Sequence, residues 1–257
     1  DPAFKGAGSF GDFDPERTYS LPWKGIIAAI GYHKANYKEA TGKDAPTSLA
    51  DVWDPALKGR VGLISEMRDS VGLTLLSMGI DIKDPASLTE DAFNEAVDFI
   101  AAQVSSGQIF NIKGNSYGED LTNGNIIVAL AWSGDTTILN AEVGEERFGF
   151  VVPDTGSTIS SDSFVIPMGS QHKKNAEALI NYYYDPVNAA ELAAYVNYVT
   201  PVVGAKEEMM KTDPELAENP LIFPNDELLA NVHAFRPLTG QEEQRFATKW
   251  QNLLLGA

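Results

Sequence analysis

Ile126-Ile127-Val128-Ala129-Leu130-Ala131-Trp132-Ser133-Gly134-Asp135 is an unbroken apolar run that ends on a large aromatic, two small residues and a carboxylate. The run predicts a strand covered on both faces. Open α/β sheets bind ligands outside the carboxyl ends of such strands. Trp132 and Asp135 therefore stand at a candidate ligand rim, and Gly134 permits a turn and a close backbone approach there. Taken alone, the stretch fits equally a strand end with a core Trp and a helix-capping Asp.

Working outward, Gly25 to Tyr32 is a second unbroken apolar run and a second buried-strand candidate. Pro22 holds the segment before it extended. Arg60 to Ile64 predicts a short strand, followed by the polar loop Ser65-Glu66-Met67-Arg68-Asp69-Ser70 and an apolar helix from Val71 to Met78. That strand–loop–helix unit sets the polar residues at a helix N-terminus, on the ligand rim of an α/β sheet. Ser87 and Glu90 have capping-box spacing, and Phe93, Val97, Ile100, Ala101 and Val104 recur behind them at helical period. Ile109 to Ile112 and Arg147 to Val152 predict further strands, with a helical piece at Tyr117 to Leu121. Asp154 to Thr158 reads as a crossover into Ser160-Ser161-Asp162-Ser163-Phe164. Helices follow from Asn175 through Tyr184, from Pro186 to near Tyr198, and from Gln241 to Leu255. The alternation is that of an α/β protein.

Composition narrows the partners. The chain has 257 residues, a formal net charge of -17 and no cysteine. Its length suits one large domain or two small lobes. The acidity disfavours nucleic acid and anionic membranes and permits a cationic ligand. Disulfides, thiolate metal sites and cysteine nucleophiles are excluded. No apolar run reaches the length of about 18 residues that spans a membrane. The first residues carry no initiator Met, so the N-terminus reads as cut away.

Asp69 (with Glu66), Asp135 and Asp162 fall at probable sheet rims, near the aromatics Trp23, Trp132 and Tyr198. Such a set suits an organic ammonium. Carboxylates give charge-assisted hydrogen bonds of about 1.5–3 kcal/mol each, and ring faces add about 0.5–2 kcal/mol of cation–π attraction. Three unrelated helix caps and core aromatics would leave the same pattern. Arg68 is most simply a local ion pair; it could also orient Asp69 or take a ligand carboxylate. Enzyme signatures are missing. His33, His172 and His233 lack metal spacing, and there is no nucleophile elbow, phosphate loop or dinucleotide fingerprint. A carboxylate pair could hydrolyse glycosides, but nothing singles out an acid and a base. Tyr182-Tyr183-Tyr184 lies within a helical pattern that points neighbours apart, so packing explains it better than a ferric site.

Several motifs resemble, in order and spacing, the polyamine-binding periplasmic proteins, the spermidine/putrescine-type solute receptors of ABC importers. They are Tyr19-Ser20-Leu21-Pro22, Ala29-Ile30-Gly31-Tyr32, Leu49-x-x-Val52-Trp53 with Leu57-Lys58-Gly59, Glu66-Met67-Arg68-Asp69, Ala131-Trp132-Ser133-Gly134-Asp135, Asp162-Ser163-Phe164-x-Ile166-Pro167 and Tyr198-x-Thr200-Pro201. The resemblance implies a periplasmic-binding-protein-like α/β fold of two lobes joined by crossover strands, with the ligand in the interlobe cleft. It places the end of lobe one and the first crossover at 1–22 and lobe two at 23–155. The second crossover, the returning part of lobe one and the C-terminal helices then fall at 156–257. The leading part of lobe one is absent on this reading.

By the same resemblance Asp69 (the acidic position after Arg68, with Glu66 nearby), Asp135 and Asp162 hold the ammonium groups of the ligand, Trp132 and Tyr198 stack on it with Tyr198 lining the cleft, and Trp23 is counted with the ligand-binding residues. Ser160 falls where close relatives often place a large aromatic. The implied function is extracytoplasmic solute binding for an ABC importer, without catalysis or cofactor. The implied ligand is a polyamine or similar cation. The alternatives are a γ-amino acid receptor, with Arg68 on the carboxylate, and a carboxylate-dependent carbohydrate-active enzyme. The implied partners are the ligand and a membrane permease, with a further chain over the incomplete lobe and no nucleic acid. The implied location is periplasmic or extracellular, secreted or lipid-anchored.

Overall fold

The structure is a computed structural model that describes Asp14 and residues 16–256. It begins with β1 (Leu21–His33), α1 (Lys34–Thr41) and two short 3-10 turns, Leu49–Trp53 and Pro55–Leu57. Next come β2 (Val61–Ile64), α2 (Met67–Ser77), α3 (Glu90–Ser105), β3 (Ile109–Lys113), α4 (Tyr117–Thr122), β4 (Val128–Trp132) and α5 (Ser133–Val143). β5 (Phe148–Val151) and β6 (Ser157–Phe164) precede α6 (Lys173–Tyr183), α7 (Pro186–Val196), α8 (Ala205–Thr212), α9 (Pro214–Ala217) and α10 (Asp226–Ala230). β7 (Val232–His233) and α11 (Gly240–Gly256) complete it. The initial Asp1-Pro2-Ala3 stretch lies outside the described residues.

The chain is α/β and forms two compact units. The larger holds Ala28–Ile159 and Asn231–Ala257; the smaller holds the described residues up to Ile27 and Ser160–Ala230. The expected third segment, 156–257, thus divides between the two, because α11 packs on the larger unit. There Phe246 stacks on Phe93 of α3, with centroids 3.9 Å apart and planes within 10°.

The larger unit is built on a mixed sheet of order β3-β2-β4-β1-β6-β7, with β5 also on β1. β2 runs parallel to β3 and β4, while β1 runs antiparallel to β4, pairing Ala28 with Trp132 and Tyr32 with Val128. β2 is buried along its whole length and β4 through Ala131. Buried parallel strands need continuous apolar sequence, which is what Val61–Ile64 and Val128–Ala131 provide.

The smaller unit carries α6 to α10 and a core rich in small residues, with Ala189, Ala190, Ala193, Ala205 and Ala217 around Tyr183, Met209 and Ile222. Gly25 and Val199 exchange backbone hydrogen bonds within it, at 2.9 and 3.0 Å.

Several local expectations are corrected. α2 begins at Met67, four residues before Val71, so Arg68 and Asp69 lie in its first turn. The cap of α3 is Thr89, whose side chain accepts from the Ala92 amide; the Ser87 hydroxyl instead accepts from the Asp81 amide. Gly134 does not turn the chain by a left-handed residue but is buried in the first turn of α5. α7 ends at Val196, where Asn197 takes a left-handed cap, φ 56°.

Candidate functional site

β2 and β4 are parallel neighbours, and each is followed at once by a helix, α2 or α5. Two helix N-termini therefore lie at the same end of the sheet. Each carries an aspartate in its first turn, Asp69 and Asp135, where unpaired amides and the helix dipole favour a carboxylate.

Trp132, the last residue of β4, connects the two. Its indole Nε1–H donates to Asp69 Oδ2 at 2.9 Å. Its backbone N–H donates to the Tyr117 phenolic oxygen at 2.9 Å, and the Tyr117 O–H donates to Asp135 Oδ2. The Tyr117 and Trp132 rings meet edge to face at 6.2 Å. Thr158 of β6 completes the set, its hydroxyl donating to Asp69 Oδ1 at 3.0 Å. Asp69, Trp132 and Asp135, three of the residues singled out in the sequence, thus belong to one hydrogen-bonded chain.

Their exposures differ. Asp69 is 5% exposed and Tyr117 fully buried, whereas Trp132 and Asp135 are half-buried. Burial pushes the Asp69 carboxyl above its ordinary range, against the downward pull of the Trp132 and Thr158 hydrogen bonds. The charge of Glu66 adds to the rise and that of Arg68 opposes it. Desolvation therefore wins over two good donors and a helix N-terminus.

Glu66 and Arg68 are turned elsewhere. Glu66 is exposed, precedes α2, and accepts from the Ser65 hydroxyl at 3.2 Å. Arg68 Nη2 pairs with Glu243 of α11 at 2.5 Å, and its guanidinium lies 5.9 Å from the Phe235 ring centre. α11 also braces this loop through Trp250, whose indole N–H donates to the Ser65 carbonyl at 2.7 Å.

The remaining predicted residues belong to the smaller unit. Ser160 and Asp162 are exposed on β6, two apart and so on one face of the strand. Desolvation by neighbouring atoms still raises the Asp162 carboxyl. Trp23 is half-buried on β1, edge-on to Phe164 at 6.2 Å, and its carbonyl accepts from the Tyr183 hydroxyl. Tyr198 is half-buried between the left-handed Asn197 and the Val199 bridge.

Tyr117 and Thr158 are members of the set that sequence reasoning misses. A tyrosine opening a short helix looks like core, and a threonine in a polar crossover looks like linker. Among the described residues no group of three or more His, Asp or Glu side chains is placed to hold a metal ion, and no helix is long and apolar enough to cross a membrane.

Residues 1–224 match the family model for bacterial extracellular solute-binding proteins. Among curated proteins, the spermidine/putrescine-binding periplasmic protein 1 of Haemophilus influenzae is 26% identical over 223 residues, 86% of this chain and 58% of that protein. The putrescine/cadaverine-binding protein of Pseudomonas aeruginosa is 28% identical over 252 residues, 95% of this chain and 68% of that protein. The chain spans about three fifths of the length of the first of these relatives. Among solved structures, the spermidine/putrescine ABC transporter substrate-binding protein of Streptococcus pneumoniae superposes with a TM-score of 0.75 at 23% identity, over 95% of this chain and 71% of that one. At that identity the likeness is one of fold.

Proposed function

Because the chain belongs to the bacterial extracellular solute-binding protein family, we propose that it acts as the solute-binding component of an ABC importer, outside the cytoplasm, and that its solute is a polyamine or a similar organic cation. The observation that carries this reading is the chain of contacts that joins Asp69, Trp132, Tyr117 and Asp135. It ties a half-buried carboxylate, through Tyr117, to the residue that carries a half-buried indole. An alkyl ammonium is matched by that pairing: the carboxylate takes its N–H bonds and the ring face takes its charge and methylenes. The names of the curated relatives support the same ligand class.

In this reading Asp135 on the larger unit and Asp162 on the smaller supply charge, Trp132 supplies the ring, and Trp23, Tyr198 and Ser160 contribute on the smaller unit. Glu66 and Arg68 flank Asp69. The solute is handed to a membrane permease. A further chain covers apolar side chains that the smaller unit leaves exposed, such as Met168, Leu179 and Tyr195.

Calorimetric titration of putrescine, spermidine and γ-aminobutyrate tests the reading. Saturable binding of a polyamine, weakened about 10- to 100-fold by Asp162→Asn, is the expected result. Binding of γ-aminobutyrate alone would replace the polyamine by an amino acid and would call on Arg68 to leave Glu243.

A further inference from the structure

We propose that Asp69 and Thr158 are positioning residues for Trp132 rather than contacts of the solute, and that the larger unit meets one ammonium group only, at Asp135 oriented by Tyr117. The inference rests on the polyamine reading and assigns roles within that site. Asp69 is 5% exposed, and each of its oxygens already accepts from a side chain of the fold, Trp132 at 2.9 Å and Thr158 at 3.0 Å. An ammonium reaching it would have to shed its water and enter a site closed to solvent.

The Thr158 side chain is held by packing directly on the backbone of α2. A Cβ on Gly72 of α2 would lie 2.8 Å from Thr158 Cγ2, so the glycine leaves the room that the threonine methyl occupies. On the other side, fully buried Tyr117 accepts from the Trp132 amide and donates to Asp135. The phenol thereby ties the half-exposed carboxylate to the main chain of Trp132. Glu66 accepts from the Ser65 hydroxyl and the Arg68 guanidinium is paired with Glu243, so Asp135 is the half-exposed carboxylate within this chain of contacts. A solute end bearing two closely spaced ammonium groups would leave one of them desolvated without a counter-charge. A single terminal ammonium on an alkyl chain fits: the charge goes to Asp135 and the methylenes go to the ring.

The test is titration of putrescine and spermidine into the wild-type, Asp69→Asn, Asp69→Ala, Thr158→Val and Asp135→Asn proteins. In parallel, the Trp132 indole 15N–1H resonance is followed, assigned with Trp132→Phe. The amide oxygen introduced by Asp69→Asn can still accept from the indole. Its affinity is expected within about threefold of wild type, while Asp135→Asn loses about 10- to 100-fold. The indole resonance should shift in Asp69→Ala, return in large part in Asp69→Asn, and move to a smaller extent in Thr158→Val. Equal losses in Asp69→Asn and Asp135→Asn would overturn the proposal, because Asp69 would then be a solute carboxylate. Should wild type bind neither amine, the solute reading fails and the resonance alone decides the positioning role. A shift in Asp69→Ala supports that role; an unmoved signal overturns it.

Discussion

Lys24 is fully buried in the smaller unit. Its Nζ lies 5.7 Å from the Tyr183 ring centre and makes no hydrogen bond among the described residues. Burial pulls the ammonium down to about 7, whereas in the unfolded chain it titrates near the ordinary value of about 10.4. Between those values the unfolded chain binds a proton that the folded chain does not, so stability rises with pH across that window. The penalty is full below about pH 7 and is gone above the unfolded value. The interval corresponds to roughly 5 kcal/mol as an upper bound, and the ring face returns about 1–2 kcal/mol. Lys24→Met should therefore stabilise the protein by about 3–4 kcal/mol near pH 6 and by little near pH 10. Chemical denaturation at the two pH values measures this, and an equal effect at both would refute it. A lysine between Trp23 and Gly25 reads in sequence as a solvated charge, because burial is a tertiary fact. The same limit divides the candidate site. Trp132, Asp69 and Asp135 are legible as residues at strand ends and helix starts. Tyr117 and Thr158 are not, because their role lies in which oxygen they face across the fold.

At the scale of elements, the contact between α2 and β6 is the joint that holds Asp69 in place. Alanine is the better helix former than glycine by about 1 kcal/mol, yet Gly72→Ala sets a methyl 2.8 Å from Thr158 Cγ2 and 3.5 Å from the Phe235 ring. A β-branched side chain on a strand has little freedom to yield. The expected outcome is a net loss of about 1–2 kcal/mol, the overpacking cost exceeding the propensity gain. Thr158→Ser removes that methyl and keeps the hydroxyl. Adding it to Gly72→Ala should recover part of the loss, with a coupling above about 0.5 kcal/mol in a double-mutant cycle by urea denaturation. Strict additivity of the two changes would show that the Thr158 methyl yields to the added one. Periodicity reveals α3 and α11 because each has a clear apolar face, Phe93, Val97 and Ile100 on one and Phe246 and Trp250 on the other. The start of α2 is hidden because Arg68, Asp69 and Ser70 look like loop, although polar residues in a first turn are what open amides require. α8 to α10 are hidden in an acidic tail whose helices are short and whose buried residues are few.

The two units of the whole molecule differ in what holds them. The larger has a continuous core of long apolar and aromatic side chains, including Ile30, Leu63, Phe93, Tyr117 and Phe246. The smaller is centred on alanines, encloses the unpartnered Lys24, and leaves Tyr19, Val165, Met168, Leu179, Tyr182, Tyr195 and Val203 exposed. Burying a large apolar side chain contributes about 1.5–3 kcal/mol and burying an alanine far less, so at neutral pH the smaller unit is the weaker. Unfolding should then be non-coincident. Amides of α6, α7 and α8 should exchange through a lower-energy opening than those of β4 and of β1 from Ala28 to Tyr32, and a dye that binds exposed apolar surface should report the first step. Hydrogen exchange read by mass spectrometry measures the difference directly. If another chain covers the smaller unit, protection of α6 and α7 will rise with protein concentration while that of β4 stays constant, since association stabilises only what it buries. A single transition with uniform protection would mean that the alanine core and the aliphatic core unfold as one, and that the exposed side chains do not weaken the unit that carries them.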